Sequence, residues 1–279
     1  MTNKFKVEDG TVQETLMMPL YGRAYCEDHF PNSLPNKAAK ETMQNVDYDF
    51  KKVESSELNM VTWGTRARML QESAKDYLLK YPNATIINLG CGLDMSFDEV
   101  DNGKCKFINF DLPDVIKARE MIVSCKAREM NFSGDLMNFE WIERIQKEPY
   151  SVNISDGVYI ISGGVLMYFS TEEMKVFFKT IAKAFPGGGI CFDGENQKGV
   201  DKSNKIVRDT GNGTLIQFPI DNAEKMFASW GPEFISVNER PFPEYIKKSK
   251  EIPFKWRFVL SLGMRMGMVK IIEVIFAKE

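Results

Sequence analysis

The stretch from Thr85 to Asp111, TIINLGCGLDMSFDEVDNGKCKFINFD, constrains this chain more than any other. An apolar run, Thr85-Ile86-Ile87-Asn88-Leu89, meets Gly90-Cys91-Gly92, and a second, Lys106-Phe107-Ile108-Asn109-Phe110, ends on Asp111. Runs of this length and composition predict buried strands. Glycines after the first strand let the backbone turn tightly and approach a ligand with no Cβ in the way. An acid at the tip of the second strand accepts hydrogen bonds from a ribose diol. The pair therefore reads as half of a doubly wound nucleotide site, with the ligand outside the carboxyl ends of the strands.

A dinucleotide fingerprint requires Gly-x-Gly-x-x-Gly and a helix N-terminus facing a pyrophosphate. Here Met95 stands at the third glycine position and Asp94 sits in the turn. An acid there disfavours a pyrophosphate. It suits a ligand carrying positive charge, such as the sulfonium and amino groups of S-adenosylmethionine. Gly90 and Gly92 alone serve a plain βα turn equally well.

The wider context is more specific. Asn88-Leu89-Gly90-Cys91-Gly92-Leu93-Asp94 followed by Phe110-Asp111-Leu112-Pro113-Asp114-Val115-Ile116 resembles the leucine carboxyl methyltransferase family, nearest its bacterial members related to polyketide O-methyltransferases. Three further segments match: Glu14 to Ala24 (ETLMMPLYGRA), Val46 to Phe50 (VDYDF) and Gly164 to Phe169 (GVLMYF). The likeness runs from about Val12 to about Asp193. It implies a class I S-adenosylmethionine-dependent methyltransferase: an α/β, Rossmann-like, doubly wound sheet of seven mostly parallel strands under a helical cap. It also implies cofactor contacts from Arg66, Gly90, Cys91, Gly92, Asp111, Leu112, Asp135, Leu136 and Gly163. Arg66 would grip the carboxylate of the cofactor's methionine part with two parallel hydrogen bonds, which lysine cannot do. Asp135 would read the adenine amino group. The chain departs from its relatives after the fourth strand, where they usually carry Glu-Gly and this sequence has Gly163-Gly164. The lost carboxylate would lie beside the reaction centre.

Totals narrow the classes. A chain of 279 residues with 43% hydrophobic content supports one large core. We expect a single domain over 1–279, with 1–60 as a helical lid and 61–279 as the core, carrying an insertion around 194–230. A net charge of −3 with no basic block argues against a nucleic-acid footprint. No apolar run approaches the roughly 20 residues that span a bilayer, and no secretory h-region opens the chain, so we expect neither membrane nor export. Five cysteines without a Cys-x-x-Cys pair fit a reducing cytoplasm. A single histidine, His29, excludes a histidine metal site or a Ser-His-Asp triad; no metal is expected.

Along the chain, Pro19, Pro31 and Pro35 break residues 1–35. The lid makes Tyr21 and Arg23 candidate substrate contacts. Trp63, Ala67, Leu70, Ala74, Tyr77 and Leu78 predict a helix from Thr62 to Lys80, with Thr62 as its cap. Val115, Ala118, Ile122 and Cys125 mark the inward face of the next. Asp135 doubles as a cap for a helix around Trp141. Gly157 to Ile161 predicts the fourth strand, after which Tyr168 is a third substrate candidate. Ser170 to Glu173 forms a capping box before an apolar stripe from Met174 to Phe185. Ile190 to Asp193 is the fifth strand, Gly194 to Gly213 a polar loop at the site mouth, and Asp221 the cap of a short helix. Phe234 to Val237 and Val269 to Phe276 are the last strands. Lys255 to Lys270 reads as a lid helix or a partner surface.

Three functions fit. The first is methyl transfer from S-adenosylmethionine to an oxygen of a small molecule or carboxylate. The second is retention of that cofactor or its demethylated product without turnover, as the Gly163 departure suggests. The third is a nicotinamide-dependent oxidoreductase, since Asp111 lies about twenty residues past the glycines. Acceptor and oligomeric state are not written in the sequence.

Overall fold

The apolar runs pair as predicted. In the computed structural model, which describes residues 4–7, 12–210 and 214–278, seven strands form one sheet. They are β1 (Thr85–Leu89), β2 (Lys106–Asp111), β3 (Glu129–Ser133), β4 (Val158–Ser162), β5 (Gly189–Gly194), β6 (Phe234–Glu239) and β7 (Lys270–Phe276). Their order is 3-2-1-4-5-7-6. Strands β1 to β5 run parallel, with Thr85 opposite both Lys106 and Val158. Strand β7 is antiparallel to β5 and β6.

The eleven α-helical segments among the described residues are α1 (Val12–His29), α2 (Lys37–Met43), α3 (Glu57–Lys80), α4 (Phe97–Val100), α5 (Pro113–Ile122), α6 (Trp141–Arg144), α7 (Thr171–Ala184), α8 (Gln197–Thr210), α9 (Ala223–Trp230), α10 (Glu244–Lys247) and α11 (Phe254–Arg265). Successive side chains on a strand point to opposite faces. Ile86, Phe107, Tyr159, Ile161 and Cys191 accordingly pack with α3 and α4, while Ile87, Ile108, Ile160 and Phe192 pack with α6, α7 and α9. Both faces are covered, which is why these strands read as near-continuous apolar runs.

Several boundaries differ from expectation. Helix α3 starts at Glu57, capped by Ser56, whose Oγ accepts from the Asn59 N–H at 3.3 Å. Thr62 lies inside it and donates to the Leu58 carbonyl at 2.7 Å. Pro19 does not end α1, because Met17, Leu20 and Ala24 bury that helix against the segment from Val46 to Val53 and the loop around Leu93. Cys125 is exposed and lies beyond the end of α5.

Residues 197–210 form helix α8 rather than a loop; 211–213 lie outside the described residues. Few apolar residues mark α8. It is held by tertiary hydrogen bonds: Asn204 donates to the Ile216 carbonyl at 2.9 Å and accepts from its N–H at 2.8 Å. Asp221 accepts from the Gln197 N–H at 3.0 Å, and Asn222 is the residue that caps α9.

The capping box before α7 is present: Ser170 Oγ accepts from the Glu173 N–H, and Glu173 accepts from the Ser170 N–H at 2.8 Å. Ser170→Ala is expected to cost about 1 kcal/mol in urea unfolding. No change in midpoint would remove the cap from the account.

Candidate active site

The carboxyl ends of β1 to β4 open into a cavity of about 700 Å³. Its floor is the turn after β1. Gly90 and Gly92 adopt φ +68° and +49°, in the left-handed region where glycine carries no Cβ penalty. The turn is tied to β2: the Gly90 and Cys91 N–H groups donate to the Phe110 carbonyl at 2.8 and 3.1 Å. A Cβ on Gly90 would lie 2.2 Å from Val165 Cγ2. Gly90→Ala therefore strains the backbone and collides with the β4 loop. We expect a lower melting temperature and at least tenfold weaker cofactor binding, checked by scanning calorimetry and titration.

Asp111 occupies the tip of β2. One carboxylate oxygen accepts from the Gly92 N–H at 2.7 Å and the other from the Leu112 N–H at 2.8 Å. Burial raises its pKa above that of an ordinary aspartate, against the lowering effect of those two donors. Phe110, Leu112, Val115 and Leu136 form an apolar wall beside it, and Asp135 stands exposed at the rim. Asp135 accepts from the Met137 N–H at 2.8 Å and does not cap α6, whose first position has no side-chain cap.

Two arginines close the other end. Arg23, from α1, is buried and donates to the Leu93 carbonyl at 3.0 Å. Its Nε stands 3.8 Å from Asp94 Oδ1, and neither atom makes a hydrogen bond among the described residues. Burial lowers the Arg23 pKa, opposed by Asp94 and reinforced by the nearby charges of Arg66 and Arg119. Arg66, from α3, pairs with Asp193 Oδ2 at 3.0 Å, and Asp193 Oδ1 accepts from the Gly164 N–H at 2.7 Å. Asp94 also accepts from Asn88 at 3.0 Å.

Gly163 lies against this pair: a Cβ there would be 2.9 Å from Leu70 Cδ1 and 3.5 Å from Arg66 Nε. Asp193, on the next strand, supplies a carboxylate to Arg66. Tyr168 lines the cavity, 40% exposed, its phenol pushed up mainly by burial.

Of the residues singled out in the sequence, Arg23, Arg66, Gly90, Cys91, Gly92, Asp111, Leu112, Asp135, Leu136, Gly163 and Tyr168 all line this one cavity. Tyr21 does not: it stacks on Phe50 at 6.0 Å within the cluster that α1 forms with the segment from Val46 to Val53. Two residues apart on α1, Tyr21 and Arg23 leave the helix on nearly opposite sides. Three residues escaped the sequence reading. Trp63 lines the cavity from α3, and Asp193 anchors Arg66. Arg119 is fully buried and donates to the Gly92 carbonyl at 3.1 Å and the Asp94 carbonyl at 2.6 Å. A signal existed for Arg119: it sits four residues after Val115 and three before Ile122, a charge on the apolar stripe.

A glycine turn, an acid at the tip of the next strand and a 3-2-1-4-5-7-6 sheet define a doubly wound α/β protein, the class that binds ligands outside the carboxyl ends of its strands. Residues 15–182 match the sequence model of the leucine carboxyl methyltransferase family. That is more than half of the chain, so it belongs to the leucine carboxyl methyltransferase family. A tetracenomycin polyketide synthesis O-methyltransferase of Streptomyces glaucescens is 24% identical over 183 residues, 65% of this chain and 65% of the relative. The matched region thus spans just under two thirds of that relative's length. A solved structure of a presumed methyltransferase of Thermobifida fusca YX has the same fold, with TM-score 0.53 and 14% identity over 96% of this chain and 95% of that one.

Proposed function

We propose that the protein transfers a methyl group from S-adenosylmethionine to an oxygen of a small molecule or carboxylate. The observation that carries this reading is one cavity lined by two acids, Asp111 and Asp135, by the apolar wall of Phe110, Leu112, Val115 and Leu136, and by two arginines, Arg23 and Arg66. The donor set fits the cofactor. Asp111 retains lone pairs for a ribose diol, and the wall suits a flat base. Arg23 Nε and Asp94 Oδ1, ion-paired at 3.8 Å but without a hydrogen bond among the described residues, match an amino acid's carboxylate and ammonium. The bound cofactor would supply an electrophilic methyl on a sulfonium.

The chain's own residues do the rest. The turn at Gly90 to Gly92 and Asp111 orient the cofactor, Arg66 and Arg23 hold its anionic end, and α1 shields the cavity from water, so the rate gain comes from alignment and desolvation. A hydroxyl acceptor needs a base near neutrality. None stands free in the cavity among the described residues: burial pushes the Tyr168 phenol up, and Asp94 accepts from Asn88 and Ser96 through Oδ2 while its Oδ1 faces Arg23. This supports an acidic acceptor, a carboxylate or a phenol of low pKa, which needs little proton removal.

Retention without turnover, the reading that Gly163 motivates, predicts cofactor binding with no transfer to any acceptor. A nicotinamide site lacks its helix: only the four-residue α4 follows the turn, with Asp98 and Glu99 in it, and Met95 is buried under the N-terminal segment. Calorimetric titration with S-adenosylmethionine, its demethylated product and NADH tests the cofactor, followed by a methyl-transfer screen of carboxylates, phenols and alcohols. We expect binding of the first two and turnover on acidic acceptors. Binding of NADH alone overturns the reading, and turnover on alcohols alone overturns the acceptor class.

A further inference from the structure

Helix α11 presents an unusual outer face. Phe254, Phe258, Leu262 and Met266 recur every four residues and are all exposed, Phe254 at 72% and Phe258 at 57%, with Val259 beside them. The opposite face, Trp256, Leu260 and Met264, packs on the cluster of Cys26, Phe30, Leu34 and Val61. The stripe is therefore not a frayed core face; the helix already has its core contact. A helical period puts Lys255 and Arg265 on the same outer side as the stripe, one near each end. Both are exposed, as is Lys250 in the lead-in. None of these three has a carboxylate partner among the described residues, whereas Lys247 and Lys248 pair with Glu244. Residues 244–266 hold six Lys or Arg against two Glu, a net +4 in a chain of net −3. The remainder carries −7.

We propose that this face seats the protein on an anionic lipid surface, with α11 lying in the interfacial plane. A ridge of large exposed apolar side chains flanked by cations without carboxylate partners, Lys255 with its ammonium 4.4 Å from the Trp256 ring centre, suits a bilayer, which takes up such a ridge without a preformed groove. Phe254 and Phe258, stacked at 6.2 Å, enter the acyl boundary while Lys255 and Arg265 meet the headgroups. A second copy placed ridge to ridge would bring two +4 segments together, so charge opposes that occupant. Among the described residues no helix is long and apolar enough to cross a membrane; the mode proposed is peripheral, and it revises the expectation of no membrane contact only to that extent.

The test is co-sedimentation of the full chain with phosphatidylcholine vesicles, with and without phosphatidylglycerol. Binding is expected to be at least about tenfold tighter with the anionic lipid, given the worth of each basic residue near such a surface. It should weaken with added salt. The double variant Phe254→Ser/Phe258→Ser should lose it while keeping parental circular dichroism and cofactor titration, since neither residue touches the cavity. Lys255→Glu/Arg265→Glu should lose the lipid preference. Absence of binding at low ionic strength, or equal binding by the serine variant, overturns the proposal. So does concentration-dependent self-association that the serine variant abolishes, which assigns the ridge to a second copy.

Discussion

Asp111→Ala is expected to lower affinity for S-adenosylmethionine and its demethylated product by a hundredfold or more in calorimetric titration. Hydrogen bonds to a charged group contribute about 1.5–3 kcal/mol each, and two to a ribose diol amount to about 3 kcal/mol or more. The substitution also frees the Gly92 and Leu112 N–H groups that the carboxylate now holds at 2.7 and 2.8 Å, loosening the cofactor turn. Asp111→Asn keeps one acceptor oxygen and should lose less.

The pH dependence follows from the same group. Burial raises the Asp111 pKa, so protonation begins at a higher pH than for an exposed aspartate. The neutral acid is a poorer acceptor. Affinity should fall as pH drops through that raised value and be fully present above it, and the asparagine variant should show no such inflection. In the free protein the sign is opposite: the folded state binds the proton more tightly than the unfolded one, so Asp111's own contribution to stability improves on acidification. Parental affinity in Asp111→Ala would remove the residue from the site.

The second large effect is on Arg119. Arg119→Met should destabilise the fold by about 3 kcal/mol in urea unfolding, because truncating one member of a buried ion pair leaves the other uncompensated. That partner is Glu129, 4% exposed and 3.4 Å away. The Gly92 and Asp94 carbonyls lose their donors at the same time. Adding Glu129→Gln removes the orphaned charge and should restore part of the stability. It should not restore cofactor affinity, since the carbonyls remain unheld. A loss under 1 kcal/mol in the single variant would show that the turn holds itself.

The two arginines illustrate what could be read in advance. Arg66 was legible because it sits beside an apolar stripe just before the first strand, in a segment that resembles a known family. Its partner Asp193 was not, because 127 residues separate them and only the adjacency of β4 and β5 joins them. Arg119 carried its signal as a charge on an apolar face, but its acceptors lie on a different loop. The lid resemblance offered Tyr21 and Arg23 together, but two residues apart on a helix lie about 200° apart, so Arg23 lines the cavity while Tyr21 packs on Phe50.

The sequence by itself determined every strand of the sheet but β3, the glycine turn, the acid at the tip of β2 and the capping box, because each depends on local periodicity and backbone chemistry over a few residues. The tertiary structure alone decided which carboxylate neutralises Arg66, what holds the Gly92 carbonyl, that residues 197–210 are helical, and that α11 turns its aromatic side outward. Those outcomes depend on which distant groups end up within hydrogen-bonding or packing reach, and such proximity is set by the assembled sheet and its helices, not by any one segment.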